Sequence, residues 1–170
     1  MAAPQSPLVV RIGKAPLRWR MLDEAPFGLV LIDSARLLRA RFDRALDAAR
    51  LGLTAGEARA LYYVARHPGS RQAALAASMG VEPMTLVGYL DRLEALGHVL
   101  REPDPTDRRA KTVRLRPGAE PLLERVLAVF RSVRETVLDD FAPDEAEHLK
   151  AMLARLRARL LADERDGVAP

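Results

Sequence analysis

The chain has 170 residues, 49% of them hydrophobic, and a formal net charge of +4 with a pI near 9.9; this suits one domain, or one domain with an added helical module, and a mildly basic surface compatible with an anionic partner. It has no cysteine, which excludes disulfides, cysteine-ligated metals and thiol redox chemistry within it. No apolar run approaches the ~20 residues of a membrane span, and MAAPQSPLVV lacks the basic start and long apolar stretch of a secretory leader, so we expect a cytoplasmic protein without a membrane partner.

Residues 1–25 carry Pro4, Pro7 and Pro16, with Pro26 just beyond, and form no long helix. Arg11, Lys14, Arg18 and Arg20 precede the first acid, Asp23. The stretch reads as a basic arm that either clasps a dimer or touches DNA, with Trp19 as its anchor on the body. From Phe27 to about Ala49, Leu31, Ala35, Leu38, Phe42, Ala45 and Leu46 recur at helical spacing. Thr54 and Glu57 have the spacing of a capping box and predict a second helix running to about Arg66, ended by His67-Pro68-Gly69. Ser70 is expected to cap a short third helix from Arg71 to Met79, stopped by Gly80.

Pro83 suits the first turn of a fourth helix, where its missing N–H costs nothing. Leu86, Leu90, Leu93 and Leu96 give that helix one apolar face, and Gly97 ends it. Residues 98–103 and 110–116 alternate as two strands of a hairpin joined by 104–109. Two long helices follow, about 118–140 and 143–163. Leu149, Leu153, Leu156 and Leu160 form a stripe on the last, longer than a small domain can cover, and predict an isologous homodimer.

Helix, short helix, glycine turn, helix and hairpin is the order of a winged helix-turn-helix. The fold class is therefore mainly α with a small β-hairpin wing, plus a helical dimerisation region. The fourth helix enters a major groove, and the arginines of DPTDRRAK face the backbone or a minor groove, since arginine stays charged and fits a narrow groove of strong negative potential. Arg108 is expected at the hairpin tip, in a minor groove. Asp107 is expected to pair with a nearby arginine, Arg109 first, and to brace the loop. Lys111 and Arg114, further down the strand, serve phosphates or the wing's own packing.

The run GVEPMTLVGYLDRLEALGHVLREPDPTDRRAKTVRL resembles the recognition helix and wing of the MarR family of bacterial transcription regulators. Within it, EPMTLVGYLDRLE, DRRAK and the later AEPLLE are similar to the SlyA-like branch. The resemblance spans roughly Phe27 to Asp163 and is most specific from Gly80 to Glu120. It implies a dimer built from the first and last two helices, with residues 26–52 and 117–165 as the dimerisation region and 53–116 as the DNA-binding domain. It also implies a pseudo-palindromic duplex operator, and release of DNA when a small phenolic or aromatic carboxylate binds near the junction of the two regions. Arg36 and Tyr62 are the residues we assign to that ligand.

The sequence departs from the family pattern at Gly88, where SlyA-like proteins usually have a base-contacting arginine. Gly88 also costs the helix about 1 kcal/mol relative to Ala. Arg116 stands where the family usually has a threonine after the last wing strand. Major-groove reading is left to Thr85 and Tyr89, with Met84 beside them, or to the wing and DNA shape. Arg71, Arg109 and Lys111 complete the DNA-binding set. A non-specific architectural DNA binder of the same fold is the alternative.

Other chemistries find little support. Asp139, Asp140, Asp144, Glu145, Glu147 and His148 resemble a metal cluster, but Asp144 and Glu145 complement a helix dipole after Pro143, and Asp139 and Asp140 fit a solvated turn. The sequence has no nucleophile elbow, phosphate-binding loop, dinucleotide glycine pattern or zinc spacing, so neither an enzyme nor a cofactor is implied.

Overall fold

Residues 26–107 and 109–166, which the computed structural model describes, form six helices and three short strands. The order is α1 (Phe27–Ala48), α2 (Ala55–Arg66), β1 (Ser70–Arg71), α3 (Gln72–Met79), α4 (Pro83–Ala95), β2 (Val99–Pro103), β3 (Lys111–Leu115), α5 (Glu120–Val137) and α6 (Pro143–Asp166). The basic arm with Trp19, and Arg108, lie outside the described residues.

Local chemistry fixes most boundaries. The capping box at the start of α2 is complete: the Thr54 N–H donates to Glu57 Oε2 at 2.7 Å and the Glu57 N–H donates to Thr54 Oγ1 at 3.2 Å. Asp43 of α1 accepts the Ala55 N–H at 2.6 Å, satisfying another first-turn donor of α2 and joining the two helices. Gly80 ends α3 at φ +61°, the left-handed conformation glycine adopts without a Cβ penalty. Pro83 lies in the first turn of α4.

The third helix begins differently from the expectation. Ser70 is no cap; Ser70 and Arg71 form β1, which pairs antiparallel with Val113 and Thr112 of β3. Main-chain pairing holds this strand, so a side-chain cap is unnecessary, and Arg71 occupies the cap position without a capping bond. The expected two-stranded hairpin is thus a three-stranded sheet in the order β1-β3-β2, with Val99 opposite Leu115 and Pro103 opposite Lys111.

The core lies between α2, α3, α4 and the sheet. Leu61, Val64, Leu75, Leu86, Leu90, Leu93, Val99 and Val113 are buried there, each contributing about 1.5–3 kcal/mol by leaving water. Leu46 of α1 and Val126 of α5 extend it toward the outer helices, where Phe42 and Phe130 meet edge to face with ring centroids 5.0 Å apart.

Apolar burial stops short at the two ends of the chain. On α1, Phe27, Leu29, Val30, Ile32 and Leu37 are exposed. On α6, Leu153 and Leu160 of the expected stripe are exposed while Leu149 and Leu156 are half-buried. No single helix among the described residues is long and apolar enough to cross a membrane.

Candidate nucleic-acid interface

The α4 helix has two unlike faces. Leu86, Leu90 and Leu93 point into the core at i, i+4, i+7 spacing, so Met84, Thr85, Gly88 and Arg92 fall on the opposite side, exposed. Met84 is 76% exposed, an unusual state for a large apolar side chain. A Cβ added at Gly88 would meet nothing within 4 Å, so the middle of this face is bare backbone.

Tyr89 does not share that face. It is half-buried, packs on the core cluster, lies against Gly56 of α2, and its hydroxyl accepts from Arg39 of α1 at 3.4 Å. The expectation that Tyr89 stands with Thr85 at the groove is therefore corrected: a position one turn beyond Thr85 and beside the leucine stripe is drawn inward by the apolar ring.

Acids on α4 would repel a phosphate backbone, and β2 neutralises them. Arg101, whose side chain is only 13% exposed, pairs with Asp91 at 2.7 Å and with Glu94, to which it also donates from Nε at 2.9 Å. Hydrogen bonding from Arg101 holds the Glu94 carboxyl below its ordinary range, and the Arg101 guanidinium is raised by Glu94 first, then Asp91. Sequence reasoning missed Arg101. Its signal was a cation on the strand opposite two acids spaced i, i+3.

The wing is organised by Asp104, a buried acid. Its carboxylate accepts from Arg71 Nε at 2.7 Å, Thr106 Oγ1 at 2.6 Å and the main-chain N–H groups of Thr106 and Asp107 at 2.8 and 3.0 Å. Arg71 donates to Thr106 Oγ1 as well, at 2.9 Å. These bonds, from Arg71 first and Thr106 next, hold Asp104 far below the usual carboxylate range. The Asp104 N–H donates to the Ala110 carbonyl at 3.0 Å and closes the loop.

Among the described residues the carboxylate–guanidinium pair that holds the wing is Asp104–Arg71, a pair the sequence reading did not name. Asp107 Oδ1 accepts the Arg109 main-chain N–H at 3.0 Å, an Asx-type turn within the loop. Asp-Pro-Thr-Asp was the available signal, since an Asp ahead of a turn caps the N–H groups two and three residues on. Arg109 and Lys111 are exposed on the wing. Arg114, on β3, pairs with Glu102 at 2.9 Å across the sheet. Arg71 is half-exposed, so its outer edge stays open to solvent while Asp104 holds its inner edge.

The residues assigned to a small ligand are apart. Arg36 is exposed on α1, 3.8 Å from Asp33. Tyr62 lines a cleft of about 370 Å³ with Tyr63, Arg66, His67, Ser78, Arg157 and Leu161, and Arg36 is not among its walls. There Arg157 of α6 donates to Tyr63 Oη at 3.1 Å and to the Ser78 carbonyl, tying the last helix to α2 and α3.

Residues 51–110 match the sequence model of the MarR family. The fold matches that of MarR over 84% of this chain and 96% of that one, with a TM-score of 0.75 and 27% identity. It matches the transcriptional regulator SlyA over 81% and 96%, with a TM-score of 0.71 and 22% identity. A third likeness is to the transcriptional repressor CouR bound to a 23-mer DNA duplex, over 84% and 99%, with a TM-score of 0.73 and 24% identity. The last two are likenesses of fold.

Proposed function

We propose that the chain, whose residues 51–110 match the MarR family model, is a winged helix-turn-helix DNA-binding regulator of that kind, and within it a dimeric, sequence-specific repressor. The observation that carries this reading is the pairing of an outward α4 face, Met84, Thr85, Gly88 and Arg92, with a braced wing bearing Arg109 and Lys111. Arg101 quiets the acids between them. The uncapped first turn of α4 adds N–H groups suited to a phosphate. In this reading Arg108 enters a minor groove, Arg109 and Lys111 follow phosphates, and Arg71 holds the wing while offering its free edge.

Residues 53–116 form the DNA-binding domain, and 26–52 with 117–165 the dimerisation region; the arm, 1–25, clasps the dimer or touches DNA. The apolar faces left open on α1 and α6 support the dimer. Two recognition helices then lie about one helical turn, ~34 Å, apart and read a pseudo-palindrome. EPMTLVGYLDRLE and DRRAK support the SlyA-like branch. The effector is a small aromatic carboxylate, and the cleft at Tyr62 and Tyr63, with Arg66 and Arg157 for the acid group, suits it better than Arg36. It weakens DNA binding by its differential affinity for one arrangement of the two regions.

Salt-dependent binding to duplexes selected from a random pool tests the function, because phosphate neutralisation makes affinity fall with salt. Preference for the selected duplex over unrelated DNA is expected. Equal binding to both would favour the architectural alternative, which the bare centre of α4 at Gly88 also suits. Light scattering at micromolar concentration should give a dimer mass, and Leu153→Glu should lower it to a monomer. A panel of aromatic carboxylates at millimolar concentration that moves neither thermal stability nor DNA affinity would remove that ligand class.

A further inference from the structure

The reading face of α4 has an unusual chemistry. Over its first two turns, Pro83 to Leu90, the sequence PMTLVGYL holds no Arg, Lys, Asn or Gln. Those are the side chains that read guanine and adenine edges through paired hydrogen bonds. Tyr89, the remaining long polar side chain there, is turned toward Gly56 and Arg39. What faces outward is the Met84 thioether chain, 76% exposed, the Thr85 methyl and hydroxyl, and the open backbone at Gly88.

This apolar strip is bordered by cations. Arg92 follows it on the same helix face, and Arg109 and Lys111 stand on the wing. A strip of this kind, flanked by charges that seat a phosphate backbone, complements the one apolar group that the major groove displays, the C5-methyl of thymine. Gly88 matters because a bare helix centre lets the backbone come closer to the groove floor than any side chain would.

We propose that Met84 and Thr85, on either side of the access given by Gly88, form a seat for thymine methyl groups. Each half-site then carries thymine where it faces the first two turns of α4, and sequence is read there by apolar contact. This rests on the DNA-binding reading above and specifies its chemistry.

The test uses the full chain and a duplex recovered from a random pool. Its affinity is compared by fluorescence anisotropy, at one fixed salt concentration, with that of the same duplex carrying deoxyuridine for thymidine in both half-sites, and with that of a scrambled duplex. Losing the methyl groups should weaken binding about fourfold per contacted thymine, the factor that burying one CH₂ corresponds to. Met84→Ala, an exposed change that leaves the melting temperature in place, should remove the difference between thymidine and deoxyuridine at one position per half-site. Equal binding to thymidine and deoxyuridine duplexes, with preference over the scrambled one kept, overturns this proposal and leaves the DNA reading standing. A methyl effect that survives both Met84→Ala and Thr85→Ser also overturns it. Loss of any preference for the recovered duplex overturns both.

Discussion

Gly56 and Tyr89 form a contact whose energetics can be read with a sign. Gly56 is buried in the first turn of α2, facing the back of α4. A Cβ there would lie 2.8 Å from Tyr89 Cε1 and closer still to Cζ and Oη, so the ring must move. Helix propensity alone favours alanine over glycine by about 1 kcal/mol. Overpacking a filled site costs about 1–3 kcal/mol. The clash should win, and Gly56→Ala should destabilise the protein by up to about 2 kcal/mol, lowering Tm by up to about 8 °C for a chain of this size. In a Tyr89→Ala background the obstacle is gone, and the same change should stabilise by up to about 1 kcal/mol. The coupling, about 1–3 kcal/mol, is measured by denaturant unfolding of the four variants at one protein concentration. If Gly56→Ala stabilises the unaltered chain, or destabilises equally in both backgrounds, the ring does not set the spacing of α2 and α4.

Asp104→Asn should loosen the wing and weaken DNA binding at neutral pH without lowering the helical signal in circular dichroism. The folded carboxyl titrates below its unfolded value, so the stability that Asp104 adds is fully present above about pH 4 and lost as pH falls through the depressed folded value; the variant's acid unfolding curve should lack that component. Arg101→Gln should cost about 1–2 kcal/mol in unfolding free energy, since it leaves Glu94 and Asp91 without their cation in a partly exposed setting. It should also weaken DNA binding by uncovering two negative charges on α4, an effect that fades at high salt. Gly88→Ala, with nothing within 4 Å of the new methyl, should raise stability by about 1 kcal/mol in thermal unfolding.

Much of this architecture is legible in the sequence because its signals are local. Thr54 and Glu57 define a helix start by their own side chains, and Pro83, Gly80 and Gly97 punctuate α4 through backbone conformation alone. The alternation on either side of DPTDRR likewise gives the wing. What stayed hidden depends on distant partners. Ser70–Arg71 is too short to show a strand period and pairs only because β3 returns beside it. Asp104 and Asp107 are both acids in one loop, and that Asp104 takes the guanidinium of Arg71 depends on a residue 33 positions earlier. The direction of Tyr89 is set by the space at Gly56 on another helix, which no periodicity of α4 records.

The two-residue strand β1 has a mechanical consequence. Because Ser70 and Arg71 pair with β3 and lead directly into α3, no hinge separates the wing from the helix-turn-helix. Arg157 links α6 to the far end of α3 through the Ser78 carbonyl. A displacement of α6 would act on α3 through this contact, and α3 continues back into the strand that the Asp104–Arg71 clasp holds. Such stiffness spares DNA binding the entropy of ordering a loose hairpin. In the proposed dimer it would also make the two wings answer to the distance between the outer helices, so a small change there would be felt as a whole-body misfit to the duplex.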